Sequence, residues 1–208
     1  MIDENRKFGV KGLIQARDFL QGLLGPSIAG IITTNYDLVV EYALGSKLFN
    51  YGIDKQILTG RGPYPVSTWR NPVRLKGTLS LAKIHGSVSW DSGGYYTDGR
   101  RSITGKALLV APTSEKDIPE VLRFTWNLAG QVLKQSTRLL VFGFAFNAYD
   151  QLVLDLLRLD GHNISSVLLI DIAPKLEAAK QIWPQASITC CPPPPDGGAL
   201  IYDWKKSL

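Results

Sequence analysis

Two short polar segments carry the side chains best suited to chemistry in this chain. The first is Thr33-Thr34-Asn35-Tyr36-Asp37, which offers two aliphatic hydroxyls, an amide and a carboxylate. Thr, Asn and Asp are preferred helix N-caps, so one of these residues can simply cap a following helix. Four polar residues exceed what one cap requires, which leaves amide and carboxylate groups to face a ligand. The second segment, Ile84-His85-Gly86-Ser87, holds one of the two histidines. An imidazole is suited to accept a proton near neutral pH, and Gly86 permits a tight turn or the close approach of a ligand. A strand-end histidine also serves as a satisfied structural residue, and for His85 both readings stand at this level. His162, in Asp160-Gly161-His162-Asn163, reads as a loop residue after a helix. Asp171 closes an apolar stretch, where it either accepts hydrogen bonds from ribose hydroxyls or caps a helix ahead of Pro174. The sequence has no G-x-x-x-x-G-K-[ST], G-x-S-x-G, H-E-x-x-H or paired C-x-x-C, so phosphate-loop NTPase, serine hydrolase and zinc hydrolase readings lack support.

These residues must be held by strands and helices, and the pattern alternates the two. Residues 12–24 place apolar side chains at helical spacing before Gly25-Pro26. Residues 29–33 form a short β-branched run, as a buried strand would. Residues 38–44 then read as a helix stopped by Gly45. Residues 45–80 contain Gly60, Gly62, Pro63, Pro65 and Pro72, which break any period, so an irregular insertion with one or two short strands is expected there. Strands follow at 81–84 and 107–111, with turns at Gly93-Gly94 and Asp98-Gly99 between them and a helix at about 119–134 after Pro112. The last third reads strand 138–142, helix 150–159, strand 166–170, helix 174–183 and strand 187–191. That order implies a mainly parallel sheet covered on both faces, within one domain over residues 1–208. A Pro-rich tail, 192–208, closes the chain. In open α/β sheets ligands bind at the carboxyl ends of the strands. Thr33–Asp37, His85–Ser87, Pro112–Ser114, Gly143–Asn147 and Asp171 all follow predicted strands and are expected to gather at one edge.

Composition agrees with a globular α/β chain. At 208 residues, with 45% hydrophobic and 20% charged side chains, it can bury a proper core. It has neither a signal-like N-terminal apolar run nor a stretch long enough to span a membrane, so a cytoplasmic protein is expected. Cys190 and Cys191 are adjacent and cannot staple a fold or make a structural zinc site alone, so no metal is expected. Between Lys55 and Lys106, nine Lys or Arg stand against Asp91 and Asp98, a net of +7 in a chain of net +5. This basic stretch suits an anionic dinucleotide, a nucleic-acid backbone or merely a solvated surface. Tyr64, Trp69, Trp90, Tyr95 and Tyr96 would supply stacking faces in the nucleic-acid case.

Taken in order over residues 29–172, the segments resemble the sirtuin-like family. Thr33-Thr34-Asn35-Tyr36-Asp37 is similar to its T-Q-N-x-D motif, and Lys83-Ile84-His85-Gly86-Ser87 to its x-x-H-G-S motif. Leu140-Val141-Phe142-Gly143-Phe144-Ala145 resembles its strand followed by G-T-S or G-F-S, and Leu168-Leu169-Ile170-Asp171 its next strand and polar end. The resemblance implies a Rossmann-like three-layer α/β domain with NAD as ligand or substrate. It assigns His85 as general base acting on the nicotinamide-ribose hydroxyls, Asn35 to position the ribose or attacking water, and Asp37 to hold the nicotinamide carboxamide. Thr33, Thr34, Gly86, Ser87, Gly143, Phe144 and Asp171 become cofactor contacts, the adenosine half lying along Gly143 and Asp171. The likeness is nearest to the prokaryotic branch associated with NAD cleavage and phage defence. Thr34 stands where classical members have Gln, Ala145 where many have Ser, and the paired cysteines of a deacylase zinc module do not follow His85-Gly86-Ser87. The Gly-Ala-Gly-x-Ser segment that opens family members is not seen before Thr33, so an N-terminally truncated fold is expected. Three functions follow as expectations: an NAD hydrolase or a fragment of one, a non-catalytic NAD or ADP-ribose binding module, or a nucleic-acid or protein surface on the basic insertion. A homo-oligomer, or a partner chain that supplies the phosphate loop, is expected alongside the first.

Overall fold

The structure, a computed structural model, describes residues 14, 15, 17–23, 28–45, 48–52, 79–91, 95–96, 106–110, 117–194 and 198–206. Most of the expected irregular insertion, the turns at Gly93-Gly94 and Asp98-Gly99, and Pro112–Ser114 lie outside the described residues. The chain divides into two units, Met1–Ala111 with Ile118–Ala129, and Pro112–Asp117 with Gly130–Leu208.

In the first unit the β-branched run forms β1 (Gly30–Thr33), followed by α1 (Val39–Leu44), β2 (Phe49–Asn50) and β3 (Leu79–Lys83). These three strands make a parallel sheet of order β1-β3-β2. As the central strand, β3 is buried from Ser80 to Lys83, in keeping with the apolar character of inner parallel strands. Helix α1 turns Leu38, Ala43 and Leu44 into the core and stops at Gly45, whose φ of 74° suits glycine and whose N–H bonds Glu41 O. After a tight turn, β4 (Gly86–Asp91) pairs antiparallel with β5 (Tyr95–Tyr96) and β6 (Ala107–Leu109). The polar Gly-Ser-Val-Ser spelling of β4 gave no strand signal in sequence. Its end anchors an aromatic core: Trp90 meets Tyr51 edge-on at 5.1 Å and Phe124 at 5.7 Å. Phe124 sits on α2 (Arg123–Lys134), which is entered through a single 3₁₀ turn at Glu120–Leu122.

The second unit alternates β7 (Arg138–Phe142), α3 (Gln151–Asp160), β8 (Ser166–Ile170), α4 (Leu176–Ile182) and β9 (Ser187–Cys191). All three strands coincide with those expected from sequence and lie parallel, in register, in the order β7-β8-β9. Both parallel sheets, with their helices, give the Rossmann-like α/β fold. A last helix, α5 (Gly198–Lys206), stands where only a Pro-rich tail is expected from sequence. Tertiary anchoring accounts for it, since short helices seldom hold alone. The Arg138 guanidinium lies 4.1 Å over the Trp204 ring and donates to Trp204 O, while Trp204 Nε1 donates to Ser166 Oγ.

Candidate functional site

The parallel register of β1 and β3 sets Thr33 opposite Lys83. The residues that follow each strand therefore leave the sheet side by side, although some fifty positions separate them in sequence. Two backbone bonds tie the segments together: Ile84 N–H to Thr33 O at 3.1 Å and Val88 N–H to Tyr36 O at 2.9 Å. Within the first segment, Thr33 Oγ1 accepts from Asn35 N–H at 3.0 Å, and Asp37 Oδ1 accepts from Val39 N–H at 2.9 Å. Asp37 thus closes a local turn just ahead of α1, whose N-cap position is Leu38 and makes no side-chain cap bond. Thr33 and Thr34 are half-buried, while Asn35, Tyr36 and Asp37 are exposed. The Asn35 side-chain amide makes no hydrogen bond among the described residues and is open to a ligand.

The second segment is a turn wedged into the core. His85 is 7% exposed, and its carbonyl accepts from Val110 N–H at 2.9 Å. The Ile84 carbonyl accepts from Trp126 Nε1 at 2.9 Å, which fixes the turn to α2. Gly86 has a φ of 86°, and a Cβ there would run into the Leu108 carbonyl oxygen. Only glycine fits both demands. Ser87 begins the strand side of the turn, fully buried, with its Oγ 3.0 Å from Ser89 Oγ.

A charged group missed in the sequence sits directly beneath these segments. Lys83, the last residue of β3, is 1% exposed and bridges Glu41 of α1, Nζ to Oε1, at 2.8 Å. The same ammonium donates to the Asp37 carbonyl. Tyr51 Oη donates to Glu41 Oε1 at 2.9 Å. Burial pushes the Lys83 ammonium below the usual lysine range, and the charge and hydrogen bond of Glu41, with the Asp37 charge, hold it up. One sequence signal was available: a lysine directly after Leu81-Ala82 and before Ile84, two residues before His85.

In the second unit, β7 and β8 pair Phe142 with Ile170, so Gly143 and Asp171 begin neighbouring loops at the carboxyl edge of that sheet. Gly143 N–H reaches back to Ile170 O at 3.0 Å, with a φ of 63°. Phe144 packs edge-on against Phe146 at 4.8 Å, and Phe146 against Trp183 at 6.3 Å. Asp171 Oδ1 accepts from Ala173 N–H at 2.9 Å, a local turn bond. Of the expected strand-end segments, then, one sheet joins Thr33–Asp37 with His85 and the other joins Gly143 with Asp171. Trp90, named as a stacking face, is fully buried; Tyr64 and Trp69 lie outside the described residues. His162 is an exposed loop residue whose Nδ1 lies 2.9 Å from Leu159 O at the end of α3.

Over residues 29–189 the sequence matches the family model described as SIR2-like domain. That span takes in both polar segments of the first sheet and both strand ends of the second. No curated protein and no solved structure matches the chain at a significant level.

Proposed function

The chain belongs to the SIR2-like domain family, an NAD-related class of domain, and from that premise we propose that it binds NAD at the carboxyl edge of the β1-β3-β2 sheet and hydrolyses it. The observation that carries the reading is the register of Thr33 with Lys83, which seats an exposed amide and carboxylate beside a histidine turn. Asn35 fits a role in orienting the ribose or a water, because its side-chain amide is exposed and makes no internal bond among the described residues. Asp37 would hold the nicotinamide carboxamide through the oxygen that does not accept from Val39 N–H. Hydrolysis breaks the bond from ribose C1′ to the nicotinamide nitrogen, which keeps the electron pair. A water oxygen bonds C1′ and its proton is released to solvent, while His85 serves as general base toward the nicotinamide-ribose hydroxyls. Positioning and oriented polar groups are what such a cleavage needs. We propose a cytoplasmic, defence-associated NAD hydrolase; the paired C-x-x-C of a deacylase zinc module does not follow His85-Gly86-Ser87, which favours hydrolysis over protein deacylation.

A second reading, a binding module without turnover, is favoured by one feature. Thr33 Oγ1 and Asp37 Oδ1 are already engaged in loop bonds, and His85 is nearly buried. Nicotinamide release from NAD, followed by chromatography, together with calorimetry on ADP-ribose, separates the two. Release that disappears in a folded His85→Ala variant supports hydrolysis. Saturable ADP-ribose binding without release supports the module, and the absence of both removes the nucleotide reading.

A further inference from the structure

We propose that Lys83 is a positioning residue, whose ammonium clamps the Asp37 carbonyl and thereby holds the Thr33–Asp37 loop in its ligand-ready shape. The functional half of this inference rests on the nucleotide reading above; the clamp itself does not. Lys83 Nζ donates both to the Asp37 carbonyl and to Glu41 Oε1, so one buried group joins the end of β3, the polar loop and the first turn of α1. Tyr51 adds a third arm through its bond to the same carboxylate oxygen. Stability alone is a poor reason for such a group. Lys83 and Glu41 are each 1% exposed at the side chain, and Glu41 Oε2 has no hydrogen-bond partner among the described residues. A buried ion pair with an unfilled oxygen is commonly no better for stability than apolar side chains of similar volume. Its distinctive product here is geometry. The loop backbone from Thr34 to Asp37 is exposed or half-exposed, with few other long-range ties than those of Thr33 O, Tyr36 O and Asp37 O. Removing the Asp37 tie frees the stretch that carries Asn35 without touching Asn35 itself.

The test uses the full chain with the double substitution Glu41→Gln, Lys83→Met, which removes both charges together and leaves neither buried ion unpaired. Two readouts are followed: amide hydrogen exchange at Asn35 and Val39, and calorimetric affinity for ADP-ribose. The clamp predicts that both amides exchange roughly tenfold faster or more in the double variant, corresponding to the loss of one hydrogen bond to a charged donor. Amides within β3 keep their wild-type rates. Affinity falls by a similar factor in the double variant, by the same conversion of one bond into an equilibrium constant. Unchanged loop exchange overturns the clamp, and faster exchange with unchanged affinity overturns its part in ligand binding. Were the wild-type chain to bind no ADP-ribose, the nucleotide reading would fall, and loop exchange would still uphold or overturn the clamp. If the double variant fails to fold, nitrogen-resolved spectra of the wild-type lysine ammonium decide. Slowly exchanging Nζ protons coupled to the Asp37 carbonyl uphold it, and freely exchanging protons overturn it.

Discussion

Replacing Gly86 with alanine probes the hinge on which the first site depends. Two costs add. A non-glycine residue at a φ of 86° is strained, by about 1–2 kcal/mol. The new Cβ also meets the Leu108 carbonyl, a backbone atom that cannot rotate away, so β4 and β6 must part at Gly86 and Leu109. The bond from Val110 N–H to His85 O lies at the same place and is stretched with them. Losing that bond adds about 0.5–1.5 kcal/mol, for a total of roughly 1.5–3.5 kcal/mol. Gly143→Ala is the control: its φ is 63°, but nothing stands within 4 Å of the added carbon. It therefore carries the conformational cost alone, about 1–2 kcal/mol. Urea unfolding followed by far-ultraviolet circular dichroism reads both. With a slope of about 2 kcal/mol per molar, the midpoint should fall by roughly 1–2 M for Gly86→Ala and clearly less for Gly143→Ala. Equal shifts would show that the β4–β6 approach is not tight and would refute the steric reasoning.

Three smaller predictions follow from single contacts. Trp126→Phe deletes the donor to the Ile84 carbonyl and should cost about 1–3 kcal/mol by denaturant titration; a loss under about 0.5 kcal/mol would mean the turn satisfies itself otherwise. Gly130→Ala presses on the Asp160 carboxylate, a movable group bridged to the exposed Lys134. Its gain in helix propensity, about 1 kcal/mol, should offset a weakened surface bridge, so a melting point unchanged within about 3 °C is expected, and a drop well beyond that counts against it. Burial raises the thiol pKa of both Cys190 and Cys191. Folding therefore favours the neutral thiols, and their contribution to stability is fully present below the ordinary thiol range and lost as pH rises from there through the raised folded values. Since Cys191 is 2% exposed and Cys190 is half-buried, iodoacetamide at pH 8 should modify Cys190 first and Cys191 only on unfolding; equal rates would contradict the burial.

Local pattern was enough wherever an element is apolar and bounded by breakers. The runs at 138–142, 166–170 and 187–191 appear as β7, β8 and β9 at those positions, because short apolar or β-branched runs bounded by Gly, Asp or Pro read as strands. The strand β4 and the helix α5 were not legible. Buried Ser87 and Ser89 read as polar loop, since their burial depends on each other's hydroxyl. Helix α5 depends on Trp204 meeting Arg138 and Ser166, far away in the chain. Among site residues, the pairing of Thr33–Asp37 with His85 follows from two strand ends and the parallel order the sequence implied. The clamp beneath them did not, because a lysine and a glutamate 42 positions apart look like two ordinary surface charges until the sheet is assembled.

The sequence by itself therefore determined the parallel α/β class, the positions of the polar strand ends and the family to which they belong. Those depend on periodicity and on residue type, which are local. Only the tertiary structure decided that Gly86 is required by the Leu108 carbonyl, that Trp90 belongs to the core, and that Lys83 holds the Asp37 carbonyl from below. Each of these is a meeting of atoms from distant segments, and whether a charge or an aromatic ring is buried is a property of the packed neighbourhood rather than of the residue.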